Sequence, residues 1–219
     1  ANSGDNVLVG GAGSDTINAG TGDDVITGGA GNDTINLLTT VGNGTDTIVY
    51  SGRTDNLNGS DTIATFQTDD IHDFSNLLNS GAIVNLTGSS IVLASTTALS
   101  TQATSIAISD ETLYIAEVAA KADIETPAKL VTALTDNGVL DAVDLAADSD
   151  AVLVLGGSDD DATQYIYGID NDSTPALVAD EITLISTVTT DIKDGIQGLL
   201  ETNFTFVTSG NNADNRING

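Results

Sequence analysis

Large aliphatic residues recur every nine positions at the start of the chain, as Leu8, Ile17, Ile26 and Ile35, with small or polar residues filling the intervals. The units read ANSGDNVLV, GGAGSDTIN, AGTGDDVIT and GGAGNDTIN, and share the pattern G-G-x-G-x-D-x-U-x with U aliphatic. Asn6, Asp15, Asp24 and Asp33 hold the sixth place. Leu37, Leu38, Thr39 and Thr40 then interrupt, and VGNGTDTIV resumes the frame with Asp46 and Ile48. The triplet x-U-x predicts a short strand with one side chain pointing inward. The glycine pairs predict turns, because glycine reaches positive φ without a steric penalty. Each unit is thus half a coil, and two units complete a circuit of 18 residues. Residues one circuit apart stack on the same edge, Asp15 over Asp33 and Asn6 over Asp24.

Stacked aspartates repel unless a cation lies between them. Calcium suits such a slot: it takes about six to eight oxygens, and glycine-rich turns present backbone carbonyls beside the carboxylates. The candidate ligands are therefore the side chains of Asn6, Asp15, Asp24, Asp33, Asp46 and Asp61, with carbonyls of the G-x-G segments at Gly11, Gly13, Gly20, Gly22, Gly29 and Gly31. The competing reading is a metal-free series of solvated turns. The nonapeptide resembles the RTX repeat of calcium-binding proteins secreted by bacteria. That resemblance implies an amino-terminal parallel β-roll, Ca²⁺ as cofactor, and folding on extracellular calcium after one-step (type I) export.

After Val49 the glycine frame dissolves. Asp61-Thr62-Ile63, Phe66 and Asp70-Ile71-His72-Asp73-Phe74-Ser75 resemble the segment that closes RTX arrays in secreted metalloproteases, alginate epimerases and surface-layer proteins, although His72 and Phe74 split the usual pattern. We expect residues 51–80 to cap the coil, as solenoid ends require. From 81 onward the text is mostly strand-like: AIVNL, SIVLA, TSIAIS, ETLYIAEV, AVLVLGG, TQYIYGI, DEITLIS and NFTFVTS. Ala119–Ala133 is predicted helical, with Pro127 near its start and Asn137-Gly138 at its end. VLDAVDLAA and DIKDGIQGLL are weaker helical candidates. The fold class is thus mainly β, an RTX roll over 1–50 capped by a β-rich module (81–209) with one or two short helices. This module resembles the end module of RTX surface-layer proteins. The closing GNNADNRIN, 210–218, aligns with ANSGDNVLV at a constant offset of 209, so 210–219 reads as the start of a further array.

Composition narrows the function. Net charge is −27, and 27 Asp stand against 5 Glu, which points to turns and short-armed oxygen ligands more than to solvated helix faces. Five Lys and Arg leave no cationic surface for nucleic acid or an anionic membrane. No apolar run approaches the ~20 residues of a membrane span. Cysteine, methionine and tryptophan are absent. No amino-terminal signal peptide is seen, and the first residue already lies in the repeat frame, as in a piece of a longer chain.

No nucleophile or metalloprotease motif occurs. His72, the single histidine, is expected to be exposed or capping rather than a general base. Asp170, Asp172, Thr174 and Glu181 fall at EF-hand-like spacing, but Pro175 replaces the required glycine, so a turn between strands is the better reading. Ser158–Asp161 reads as a hairpin tip. Tyr165 and Tyr167 share a strand face, open to sugar binding but more often a packing pair. Two functions remain open. One is a structural module of an extracellular surface-layer or adhesin protein, whose partners are calcium and copies of itself or neighbouring modules. The other is an accessory module of a secreted enzyme, or a glycan-binding one.

Overall fold

The nine-residue units wind as a coil in which turns and short strands alternate. A computed structural model describes residues 2–38, 44–53, 57–78, 94–95, 106–108, 112–118, 120–134, 143–145, 150–157, 160–171, 177–190, 192, 199 and 203–205. The coil strands are β1 (Asn2–Ser3), β2 (Val7–Ala12), β3 (Thr16–Asn18), β4 (Gly20–Thr21), β5 (Val25–Ala30), β6 (Thr34–Asn36) and β7 (Thr47–Val49). Parallel pairing sets Val7 against Val25 and Thr16 against Thr34, one 18-residue circuit apart as the period requires. The insertion after Asn36 lengthens the next circuit without shifting the register. Ile26 still pairs with Ile48.

The coil does not stop where its glycine frame does. Within 51–80, β8 (Asp61–Phe66) pairs with β6 and β9 (Ile71–Asp73) pairs with β7, both parallel. Two sheets result. One is five-stranded, in the order β2-β5-β7-β9-β17, with β17 formed by Phe204–Thr205. The other begins as β3-β6-β8 and continues without a break through β16 (Ile182–Thr190), β15 (Asp160–Asp170), β14 (Asp150–Gly157), β12 (Thr112–Val118) and β10 (Ala94–Ser95). β14, β15 and β16 pair antiparallel, and the remaining neighbours in this sheet pair parallel. The fold is mainly β.

Two apolar cores lie on the two faces of the longer sheet. The first fills the coil, where Ile26, Ile35, Ile48 and Ile63 stack inward, and runs on through Phe66, Phe74 and Leu78 to Val154 and Val188. The second packs Leu153, Tyr165, Tyr167 and Ile169 against Ile124, Leu130 and Ala133. The tyrosine pair is therefore a packing pair: both rings are buried, and the Tyr167 hydroxyl donates to the Ile124 carbonyl.

Three expectations need correction. The helix predicted over Ala119–Ala133 is a 3-10 turn at Lys121–Asp123 followed by α1 (Pro127–Leu134). Proline disfavours helical geometry at the preceding Thr126, and it opens α1 at a position where its missing N–H costs nothing. VLDAVDLAA is not helical where it is described. Val143–Leu145 forms β13, parallel to β11 (Ile106–Ile108), because strand pairing outweighs a weak helical period. His72 is neither exposed nor a surface cap. It is fully buried in the coil, stacked on Phe66 with ring centroids 4.0 Å apart, and its Nδ1 lies 2.9 Å from the Tyr50 hydroxyl.

β15 ends at Asp170 and a 3-10 turn at Ala179–Glu181 leads into β16, so the flanks of the EF-hand-like spacing are not helices. Asp172, Thr174 and Pro175 lie outside the described residues. So do Ser158 and Asp159 at the hairpin tip, Thr39 and Thr40 of the insertion, most of 81–105 and of DIKDGIQGLL, Asn137-Gly138, and the closing repeat at 210–218.

Candidate metal-binding edges of the coil

Each edge of the coil carries a column of sixth-place residues, one per circuit. On one edge the backbone N–H of Asn6 donates to Asp24 Oδ1 (2.9 Å), that of Asp24 to Asp46 Oδ1 (3.1 Å), and that of Asp46 to Asp70 Oδ1 (3.0 Å). On the other, Asp15 N–H donates to Asp33 Oδ1 (2.8 Å) and Asp33 N–H to Asp61 Oδ1 (3.0 Å). The structure thus places Asn6, Asp24 and Asp46 in one column and Asp15, Asp33 and Asp61 in the other. Fifth-place side chains clamp in the opposite direction. Asp5 Oδ1 accepts from Asp23 N–H, Asp23 Oδ1 from Thr45 N–H, and Asn32 Oδ1 from Ser60 N–H.

One carboxylate oxygen of Asp24, Asp33, Asp46, Asp61 and Asp70 is therefore spent on the stack. The other is not. Oδ2 of Asp15, Asp24, Asp33 and Asp46 is buried with no hydrogen-bond partner. A buried acceptor left unsatisfied costs about 1–3 kcal/mol, and more when it is charged. Four such atoms, repeated at equivalent positions, call for a positive partner that the side chains do not supply.

The turn glycines lie directly against these oxygens. A Cβ on Gly10 would lie 3.0 Å from Asp15 Oδ2, and one on Gly28 would lie 2.4 Å from Asp33 Oδ2 and 3.1 Å from Asp61 Oδ2. Bare backbone is all that fits beside these oxygens. The candidate glycines Gly11, Gly13, Gly20, Gly22, Gly29 and Gly31 all have φ between +102° and +118°. They also stack closely: a Cβ on Gly29 would come within 2.0 Å of the Gly11 carbonyl oxygen. Among the described residues no three acidic or histidine side chains converge on one point. A cation here would be held by stacked carboxylates and completed by turn carbonyls, a hard all-oxygen donor set of the kind calcium takes.

Burial dominates the electrostatics. It pushes the carboxyl of Asp46 up to about 6, and those of Asp61 and Asp70 up to about 7, against hydrogen bonds that pull the other way. Neighbouring carboxylates, Asp24 beside Asp46 and Asp33 beside Asp61, add to the rise. A divalent cation would invert this balance by stabilising the ionised forms.

Sequence reasoning missed Asp70. The segment Asp70-Ile71-His72-Asp73 has the D-x-U-x spacing, but histidine stands at the aliphatic position, and Ile48 pairs with His72 accordingly. It also missed Gly10 and Gly28, which flank the unpartnered oxygens, and the fifth-place clamp, whose signal was an Asp or Asn preceding the sixth-place acid.

Residues 1–35 match the RTX calcium-binding nonapeptide repeat in four copies. The coil is a calcium-binding repeat module, with Ca²⁺ as its cofactor. No curated protein matches the chain, and no solved structure does. Among the described residues, no helix is long and apolar enough to cross a membrane.

Proposed function

We propose that the chain is a non-catalytic structural module of a secreted bacterial cell-surface protein, of the surface-layer or large adhesin kind, that folds and stiffens on extracellular calcium. The observation that carries this reading is the set of buried, unpartnered Oδ2 atoms on both edges of the coil. Asp15, Asp24, Asp33 and Asp46, with Asn6 and Asp61 at the column ends, hold the ions, and carbonyls of the glycine turns complete the shells. Without calcium the columns repel, and each nine-residue unit contributes little more than one inward aliphatic side chain. The coil then stays unfolded where calcium is scarce and folds outside the cell, as metal-dependent small domains do.

The unbroken sheet from β3 to β10 supports a mechanical role, since it joins the coil to the β-rich module through backbone hydrogen bonds. A surface of net charge −27 discourages nonspecific binding, and calcium bridging between carboxylates of adjacent copies would let such surfaces pack. The test compares circular dichroism and light scattering in EDTA and in millimolar calcium, beside a screen of polysaccharides. Ordering or assembly on calcium without ligand binding is the expected outcome. A full strand signal in EDTA would overturn the calcium-folding reading. Saturable binding of one glycan would replace the structural role with the accessory or adhesive one.

A further inference from the structure

Both columns end beside a buried asparagine amide, although their ends are built from unrelated stretches of chain. Asp61 is the last carboxylate of its column, and its Oδ2 is not orphaned: Asn58 Nδ2 donates to it at 3.2 Å. The same amide nitrogen donates to the Ile185 carbonyl at 3.1 Å, and Asn58 Oδ1 accepts from Ser51 N–H at 3.1 Å. Asn58 is buried, with both N–H donors and its carbonyl oxygen engaged. Ile185 belongs to β16, the next strand beyond β8, so Asn58 bridges the last carboxylate of the column and the first layer outside the coil.

On the opposite edge Asp70 ends the column. Gln67 N–H donates to its Oδ2 at 2.8 Å. Asn203 Nδ2 donates to the backbone carbonyls of Asp70 (2.7 Å) and Thr68 (3.0 Å), and Asn203, also buried, immediately precedes β17. At each end the carboxylate oxygen that earlier circuits leave unpartnered is satisfied, by the Asn58 amide at Asp61 and by the Gln67 N–H at Asp70. A buried asparagine amide there gives both its N–H donors to oxygens of the last circuit or the layer beyond it. An NH₂ group and a cation answer the same need, positive potential toward converging oxygens, but the amide has fixed reach and no net charge.

We infer that Asn58 and Asn203 terminate the two calcium columns by substituting their amide donors for the next cation, so that ion loading stops at the Asp61 and Asp70 circuits and the layers beyond fold without metal. This inference rests on the calcium reading of the columns above. It also explains why one continuous sheet can pass from a metal-held region to one that needs no metal: the last two carboxylate oxygens are satisfied by the protein itself.

The experiment counts ions. Calcium titration calorimetry of the full chain, with metal content confirmed after gel filtration, is run on the parent, on Asn58→Asp and on Asn203→Asp. Each substitution replaces an amide donor by a carboxylate at the column end and re-creates the oxygen-rich layer found in earlier circuits. Each variant is expected to bind one ion more than the parent and to melt close to the parent at saturating calcium. A variant that folds with the parent's ion count, or that stays unfolded at saturating calcium, overturns the terminator role. A parent that binds no calcium would sink the calcium reading itself, which is a separate and recognisable result.

Discussion

Replacing Asp33 by asparagine separates the two jobs its carboxylate performs. Oδ1 accepts the Asp15 N–H at 2.8 Å, and the asparagine carbonyl can do the same. Oδ2 has no partner, is buried, and shares the space beside Gly28 with Asp61 Oδ2. D33N therefore keeps the stack and removes a buried negative charge from a metal-free column. In EDTA the variant should be at least as stable as the parent, because an unpaired buried charge is the unfavourable species. In calcium the sign reverses. An ion that binds only the folded chain stabilises it by RT ln(1 + [L]/Kd), about 2.7 kcal/mol when calcium is ~100-fold above Kd. A ~100-fold weaker site under the same conditions would retain about 0.4 kcal/mol of that, a loss of roughly 2 kcal/mol. For a chain of this length the loss corresponds to about 4–8 °C in Tm. Circular dichroism reads both signs, as residual strand signal in EDTA and as the thermal midpoint in calcium. A loss of strand signal in EDTA as well as of Tm in calcium would refute the reasoning, since it would mean that Asp33 acts only through neutral packing and hydrogen bonds.

Two further outcomes follow from the same geometry. Gly29→Ala places a Cβ 2.0 Å from the Gly11 carbonyl oxygen on a residue with φ of +106°. The backbone conformation alone costs of order 1–3 kcal/mol, so a calcium-saturated denaturant melt should show a lower midpoint, and an unchanged one would contradict the stacked-turn packing. The columns should also respond to pH when metal is absent. Asp46 is raised to about 6, and Asp61 and Asp70 to about 7, all above the ordinary 3.8, so the folded metal-free coil takes up protons more readily than the unfolded chain. Their contribution is present below about pH 4 and lost as pH rises through 6 and 7. His72, pushed down to about 3 by burial, opposes this below its ordinary 6.5, with one proton against three. Strand signal in EDTA should therefore grow on acidification from pH 8 to pH 5, while calcium affinity falls over the same range. A signal that shrinks on acidification would contradict this account.

The amino-terminal coil was legible from sequence because its contacts are translational. One period fixes which residue turns, which points inward, and which lies one circuit away. Stacking of Asp15 on Asp33 and of Asp24 on Asp46 follows from counting alone, insertion included. Tertiary structure decided what the period could not. Past Val49 the circuits lengthen to 24 and 28 residues with loops of unequal size, so Asp70 reaches Asp46, and Asp61 reaches Asp33, at distances no repeat specifies. His72 looked like a surface residue among acids, yet register with Ile48 turns it inward, where aromatic stacking compensates a ring that burial keeps neutral. Asn58 and Asn203 carry no local signal at all. Their roles exist because β16 and β17 arrive from distant parts of the chain to lie against the last circuit, and such long-range pairings are set by the packing of the whole molecule.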